Sequence, residues 1–175
     1  MNLSHPTSIP AVFLDRDGTI NEECGHIKSP QGLVLLSGAA AAIRHLNERQ
    51  YLTVIVTNQS VIARGECTEA GMEKIHNRLQ SLIGEEGASI DRIYYCPHYP
   101  DHEIPGGRQE LKIVCDCRKP KPGLIMRAAK DMNIDLNLSW MVGDMISDIE
   151  AANRAGIRSI LLSKQEGGFD NKYSV

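Results

Sequence analysis

Short apolar runs alternate along the chain with longer stretches whose apolar residues recur every three or four positions. The run Ile9 to Leu14 contains the first predicted strand, Val12-Phe13-Leu14. Ala39, Ala42, Ile43 and Leu46 recur at helical spacing, which predicts a helix from Gly38 to Arg49. Leu52-Thr53-Val54-Ile55-Val56 is rich in β-branched residues and bounded by polar ones, so it reads as a second buried strand. Thr68 is placed to cap a helix bearing Met72, Ile75, Leu79, Leu82 and Ile83. Ile93-Tyr94-Tyr95 reads as a third strand. Pro97 to Lys121 is an irregular insert rich in Pro, Gly and Cys. Pro122 suits the first turn of a helix carrying Leu124, Ile125, Ala128 and Met132. Trp140-Met141-Val142 reads as a fourth strand, running into Gly143-Asp144. Ile146 to Ala155 reads as a helix stopped by Gly156, and Ile157 to Leu162 as a fifth strand. The tail, Ser163 to Val175, is polar and is expected to be loosely ordered.

Strands alternating with helices predict an α/β fold, a Rossmann-like parallel sheet with helices on both faces. The intervals between strands leave no room for a large cap domain, and no internal repeat or linker appears. One domain over residues 1–175 is expected, with a loop insert at about 96–117. The chain has 175 residues, of which 42% are hydrophobic, enough for an ordinary packed core. A net charge of −3, with no basic cluster interleaved with aromatics, argues against a nucleic-acid partner. No apolar stretch reaches membrane-spanning length, so no membrane association is expected. Met1 to Pro10 lacks the apolar core of a signal peptide, so a cytoplasmic location is expected. The five cysteines are then expected as thiols or metal ligands. No conspicuous apolar surface stretch calls for a partner, and a monomer is expected.

The chemistry concentrates where strands end. Asp15-Arg16-Asp17-Gly18-Thr19 follows the first strand directly, at the edge where open α/β sheets bind ligands. A first carboxylate there can attack phosphorus and a second can move protons. Like charges so close are unfavourable without a cation or a shared proton. A loop of solvated acids around an Asp-Gly turn is the plainer alternative. The second strand runs into Thr57-Asn58-Gln59-Ser60, where Thr57 and Asn58 can donate hydrogen bonds to phosphate oxygens. A parallel sheet brings Asp15 and Asp144 to one edge, where they can share Mg²⁺, a hard cation that prefers oxygen. Lys119, just before a helix start, can add a positive charge.

Cys96-x-His98 and Cys115-x-Cys117 bracket sixteen residues. Three thiolates and an imidazole make a closed tetrahedral set of the kind that holds structural zinc. Unpaired loop thiols are the alternative. Zinc here would order the insert and position Arg118 and Lys119, which follow Cys117 directly. Cys24 and Cys67 are not expected as ligands. His5, His45, His76 and His102 read as surface residues, and Trp140 as a packing residue.

Asp15 to Thr19, Thr57-Asn58, Lys119 and Gly143-Asp144 with Asp148 resemble the four motifs of haloacid-dehalogenase-type phosphatases. The stretch Asp15 to Asn21, with Thr57 to Ser60, Ile62-Ala63-Arg64-Gly65, Tyr94 to His98 and Cys115 to Pro120, narrows the resemblance. It points to the branch of heptose-bisphosphate 7-phosphatases, with histidinol-phosphate phosphatases close by. The resemblance implies that Asp15 is the nucleophile and Asp17 the proton donor and later the base. It implies Mg²⁺ held by Asp15, the Asp17 backbone carbonyl and Asp144. It gives Thr57 and Lys119 to the transferring phosphoryl group and Arg118 to the substrate. The segment Glu23, Cys24, Gly25 and His26, and the run Thr57, Asn58, Gln59 and Ser60, are implied to border the substrate. The implied activity is hydrolysis of the 7-phosphate of a heptose 1,7-bisphosphate through an aspartyl-phosphate, in the synthesis of nucleotide-activated heptose for lipopolysaccharide or other surface glycans. Histidinol phosphate as substrate, or a non-catalytic phosphate- or zinc-binding domain, are the alternatives. Two positions depart from the pattern. Val61 stands where relatives commonly carry Gly, and Met145 where heptose phosphatases usually carry Lys.

Overall fold

The computed structural model describes residues 8–100, 106–165 and 168–174. His5 and His102 lie outside the described residues. A six-stranded sheet runs in the order β3-β2-β1-β4-β5-β6. Its members are β1 (Ala11–Leu14), β2 (Leu52–Asn58), β3 (Arg92–Cys96), β4 (Trp140–Gly143), β5 (Arg158–Gln165) and β6 (Gly168–Ser174). The first five are mutually parallel, and β6 pairs antiparallel with β5 from Ser159↔Ser174 to Gln165↔Gly168. The tail therefore adds an edge strand, contrary to the loose order expected of it. Its polar sequence carries no apolar period, and only pairing with β5 gives it strand geometry.

Among the described residues, four α-helices cover the sheet: α1 (Ala39–Glu48), α2 (Glu69–Glu85), α3 (Gly123–Met132) and α4 (Ile146–Ala155). Alternation along β1 divides the core. Val12 and Leu14 pack with Ile43 of α1 and with Met72, Ile75, Leu79 and Ile83 of α2. Ala11 and Phe13 pack on the other face with Leu124, Ile125 and Ala128 of α3 and with Ala151 and Ala152 of α4. The helix signals act as read: Thr68 Oγ1 accepts from Gly71 N at 3.0 Å, and Gly156 closes α4 at φ 73°. Among the described residues, no helix is long and apolar enough to cross a membrane.

Strand order brings β1, β2 and β4 together at the centre, so the residues after Leu14, Val56 and Gly143 emerge at one edge. β2 runs two residues beyond the predicted Val56 and carries Thr57 and Asn58 into the sheet. Val61 is a core residue at 2% exposure, packed in the cluster that holds Met72.

His76 corrects the surface reading. It lies on the apolar face of α2, 7% exposed, edge-on to the Tyr95 ring at 5.4 Å. Burial, reinforced by the neighbouring Arg16 guanidinium, pushes its pKa down to about 4. The folded state thus disfavours His76 protonation. Its contribution to stability is complete above about pH 6.5 and is lost as pH falls toward 4. Urea unfolding should show the native state weaker by about 2 kcal/mol at pH 5 than at pH 7 from this group alone. His76→Gln should flatten that part of the pH dependence; an unchanged slope would show that other groups govern acid lability.

Candidate active site

Asp15 continues β1 by one residue, its N–H donating to the Val142 carbonyl at 2.9 Å. Its carboxylate lies at the strand ends and is 8% exposed at the residue level. The Lys119 ammonium stands 2.9 Å from Asp15 Oδ1 and 2.6 Å from Asp148 Oδ1, and donates to the Val56 carbonyl at 2.8 Å. Burial alone would push the Lys119 pKa down; Asp15 and Asp148 outweigh it, and the group is held above its ordinary value as an ammonium.

Asp15, Asp144 and Asp148 form one cluster whose ligand oxygens all lie within 4.8 Å of one another. Asp144 Oδ1 is buried without a hydrogen-bond partner. Burial, with Asp15 and Asp148 nearby, raises the Asp144 pKa to about 6. An oxygen-only donor set with an unpaired buried oxygen suits a hard divalent cation. The approach depends on two glycines. A Cβ on Gly18, which sits at φ +76°, would overlap the Asp144 carboxylate, and one on Gly143 would overlap that of Asp148.

The sequence motif that contains Asp148 assigns it no role of its own, and the structure supplies one. Asp148 is fully buried, pairs with Lys119, and caps α4 by accepting from Met145 N at 3.0 Å. Its place three residues into a helix that starts at a strand end was the available signal. Met145 itself is 57% exposed at the mouth of the site.

Asp17 stands apart from the three-carboxylate cluster. Its oxygens accept from Arg16, from Asn21 Nδ2 at 2.9 Å and from Gln59 Nε2 at 2.8 Å. Its side chain is committed elsewhere, which leaves its backbone carbonyl as the group to face a cation. Thr57 is buried, and its hydroxyl accepts from Gln59 Nε2 at 2.9 Å, leaving its own proton to donate. Asn58 spends both amide atoms on Lys119: Nδ2 donates to the Lys119 carbonyl at 3.1 Å, and Oδ1 accepts from its N–H at 3.0 Å. Asn58 and Gln59 thus brace Lys119 and Asp17, whereas the sequence reading aimed them at phosphate or substrate. Ser60 is half-buried in the turn that follows.

Glu23, Cys24, Gly25 and His26 form an exposed loop, with Glu23 Oε1 accepting from Gly25 N at 2.6 Å. Glu66 ties that loop to the turn after β2 through His26 at 3.3 Å and Lys28 at 2.7 Å. Arg118 donates to the His98 carbonyl at 3.0 Å and lies over the Tyr99 ring, as Arg64 also does.

Cys96, His98, Cys115 and Cys117 converge as expected, while Cys24 is exposed and Cys67 is buried away from them. The sulfurs are 3.2 to 3.5 Å apart, and His98 Nδ1 is 3.3 Å from Cys117 Sγ and 3.6 Å from Cys96 Sγ. A zinc tetrahedron with Zn–S bonds of about 2.3 Å has S···S edges of about 3.8 Å, so the set is nearly preformed. Hydrogen bonding from Cys96, helped by Cys115 and His98, lowers the Cys117 pKa to about 5 and favours a thiolate.

This arrangement agrees with what the chain resembles. It is 41% identical over 155 residues to the D-glycero-beta-D-manno-heptose-1,7-bisphosphate 7-phosphatase of Salmonella typhi, covering 89% of this chain and 80% of that one. The namesake protein of Haemophilus ducreyi is 42% identical over 153 residues, covering 87% and 81%. The chain belongs to the heptose-bisphosphate 7-phosphatase family of haloacid-dehalogenase-like hydrolases. A family model described as HAD-hydrolase-like matches residues 116–168, which contain Lys119, Asp144 and Asp148. The crystal structure of D,D-heptose 1,7-bisphosphate phosphatase from B. bronchiseptica, complexed with magnesium and phosphate, superposes with a TM-score of 0.77. It is 34% identical and covers 87% of this chain and 80% of that one.

The raised Asp144 pKa gives a signed prediction. Without a cation, the ionised form is strained in the fold, so its cost grows as pH rises from about 3.8 to about 6 and levels off above that. Mg²⁺ should raise the thermal midpoint at pH 7.5 by roughly 5–10 °C when a hundredfold above its Kd. The increment should shrink as pH falls through about 6, where protons compete for Asp144. A Mg²⁺ effect independent of pH between 5 and 8 would count against this cluster as the site.

Proposed function

We propose that the chain is a Mg²⁺-dependent phosphatase that removes the 7-phosphate of D-glycero-β-D-manno-heptose 1,7-bisphosphate. The observation that carries this reading is the convergence of Asp15, Asp144 and Asp148 on the Lys119 ammonium at the strand ends. The relatives' names supply the substrate and its anomer, and they favour the heptose over histidinol phosphate. The single domain acts in the cytoplasm as a monomer, in the supply of activated heptose for surface glycans.

In this reading an Asp15 carboxylate oxygen attacks phosphorus in line with the sugar oxygen. The bond from phosphorus to that oxygen breaks, and Asp17 gives its proton to the departing alkoxide. Asp17, now a base, takes a proton from water as the water displaces Asp15 and releases inorganic phosphate. Splitting the hydrolysis into two displacements replaces one very slow step by two easier ones. Lys119 and the Thr57 hydroxyl neutralise charge on the equatorial oxygens of the phosphoryl group. Asp15, Asp144 and the Asp17 carbonyl would hold Mg²⁺, which supplies Lewis-acid stabilisation of the same oxygens when bound. Asp148 keeps Lys119 charged and in place. Glu23 to His26, Ser60 and Arg118 border the sugar, with Asn58 and Gln59 behind them.

The Cys96, His98, Cys115 and Cys117 set holds zinc as a structural ion, since four protein ligands leave no open position. Its task is to pin the insert at both ends, so that Arg118 and Lys119 enter the site from a fixed point.

Phosphate release should be much faster from the β anomer of heptose 1,7-bisphosphate than from the α anomer or histidinol phosphate. Asp15→Asn should abolish release while the protein stays folded and zinc-loaded. Preference for histidinol phosphate would overturn the substrate, and turnover by Asp15→Asn would overturn the nucleophile. Cys115→Ser should lower the zinc content measured by elemental analysis and cut turnover at least tenfold. Full turnover without zinc would show that the insert holds its shape unaided.

A further inference from the structure

Arg16, between the two acids of the first motif, is wholly buried. Its guanidinium points under the site toward α2. Nη1 lies 3.2 Å from Met72 Sδ and 3.4 Å from His76 Nε2, and Nη2 donates to Gln59 Oε1 at 3.0 Å. Among the described residues, Asp17 is the acid it pairs with. A guanidinium taken out of water needs such a partner, and breaking a buried pair is costly. The pair is forked: Nε and Nη2 donate to Asp17 Oδ1 at 3.1 and 3.0 Å, and Nη2 reaches Oδ2 at 2.9 Å. With Asn21 on Oδ1 and Gln59 on Oδ2, the contacts fill the acceptor directions of a carboxylate. They fix both its position and its rotation.

We infer that Arg16 is a positioning residue for Asp17, aiming its carboxylate at the oxygen that leaves phosphorus. The inference rests on the phosphatase reading. Proton donation to that oxygen must take one acceptor direction from the network, and the fork determines which oxygen is freed and where it points. His76 and Met72 hold the far end of the guanidinium against α2, so the aim is set by the core and not by the loop.

A role exerted through Asp17 predicts a dependence on leaving group. A sugar alkoxide needs a proton to depart; a nitrophenolate does not. The ratio kcat/KM covers the steps through departure, and so reports the donor half of Asp17's work. Arg16→Met should lower kcat/KM for heptose 1,7-bisphosphate on the order of 10²-fold, the usual worth of a positioned acid. It should lower kcat/KM for p-nitrophenyl phosphate at least tenfold less. Arg16→Lys, which keeps the buried charge without the fork, should fall between, and it carries the test if Arg16→Met does not fold. In an Asp17→Asn background, Arg16→Lys should cost little more on the sugar substrate, because the two act as a unit. Equal losses on both substrates, no loss on either, or losses that multiply in the double variant would overturn the inference while leaving the phosphatase reading intact. A wild-type protein that turned over neither substrate would overturn both.

Discussion

One buried ammonium makes the arrangement possible. Lys119 stands among Asp15, Asp148 and the Val56 carbonyl, where β1, β2 and the start of α4 meet. Three carboxylates within 4.8 Å of one another repel in a low-dielectric setting, and without a cation the group would spread or take up protons. Lys119 neutralises part of that charge permanently, and the remaining excess is what a divalent cation would meet. Asp148 pairs with it while capping α4, so the helix and the site depend on the same carboxylate.

Lys119 needs support of its own, because a long flexible side chain does not place a charge by itself. Asn58 grips its backbone from both sides, which joins the end of β2 to the segment leading into α3. On the amino-terminal side, the chain passes through Arg118 into the Cys117 corner of the thiol and imidazole set. The last thiol of the quartet, Cys117, is thus two residues from the ammonium that pairs with the oxygen cluster, and the soft and hard sets each suit a different metal. One set gathers the two ends of an insert that has little regular structure, and the other lies at the strand ends.

A second network runs behind the site. Thr57 Oγ1, Gln59, Asp17, Arg16 and His76 are joined in sequence by hydrogen-bond distances of 2.8 to 3.4 Å. It couples the strand ends to the apolar face of α2. Polar groups at this depth are tolerated because nearly every one has a partner, and that mutual satisfaction makes their geometry stiff.

The order of strands and helices, the sheet edge where the acids gather and the convergence of three cysteines with a histidine were all legible in the sequence. They rest on local signals: apolar periods, a threonine cap, a glycine stop, and ligand pairs two residues apart. The tail was not legible, because β6 has no apolar alternation and takes its form from the neighbouring strand. His76 was misread for its polarity, although its spacing from Met72 and Leu79 matches the buried face of α2. Residue types at strand ends determined that this chain handles phosphate. Which side chains face the reaction and which brace it was decided only by tertiary packing. Asn58, Gln59 and Asp148 act through partners distant in sequence, Arg16 is held against its neighbour Asp17 by contacts from across the core, and hydrogen-bond direction is a property of the folded chain alone.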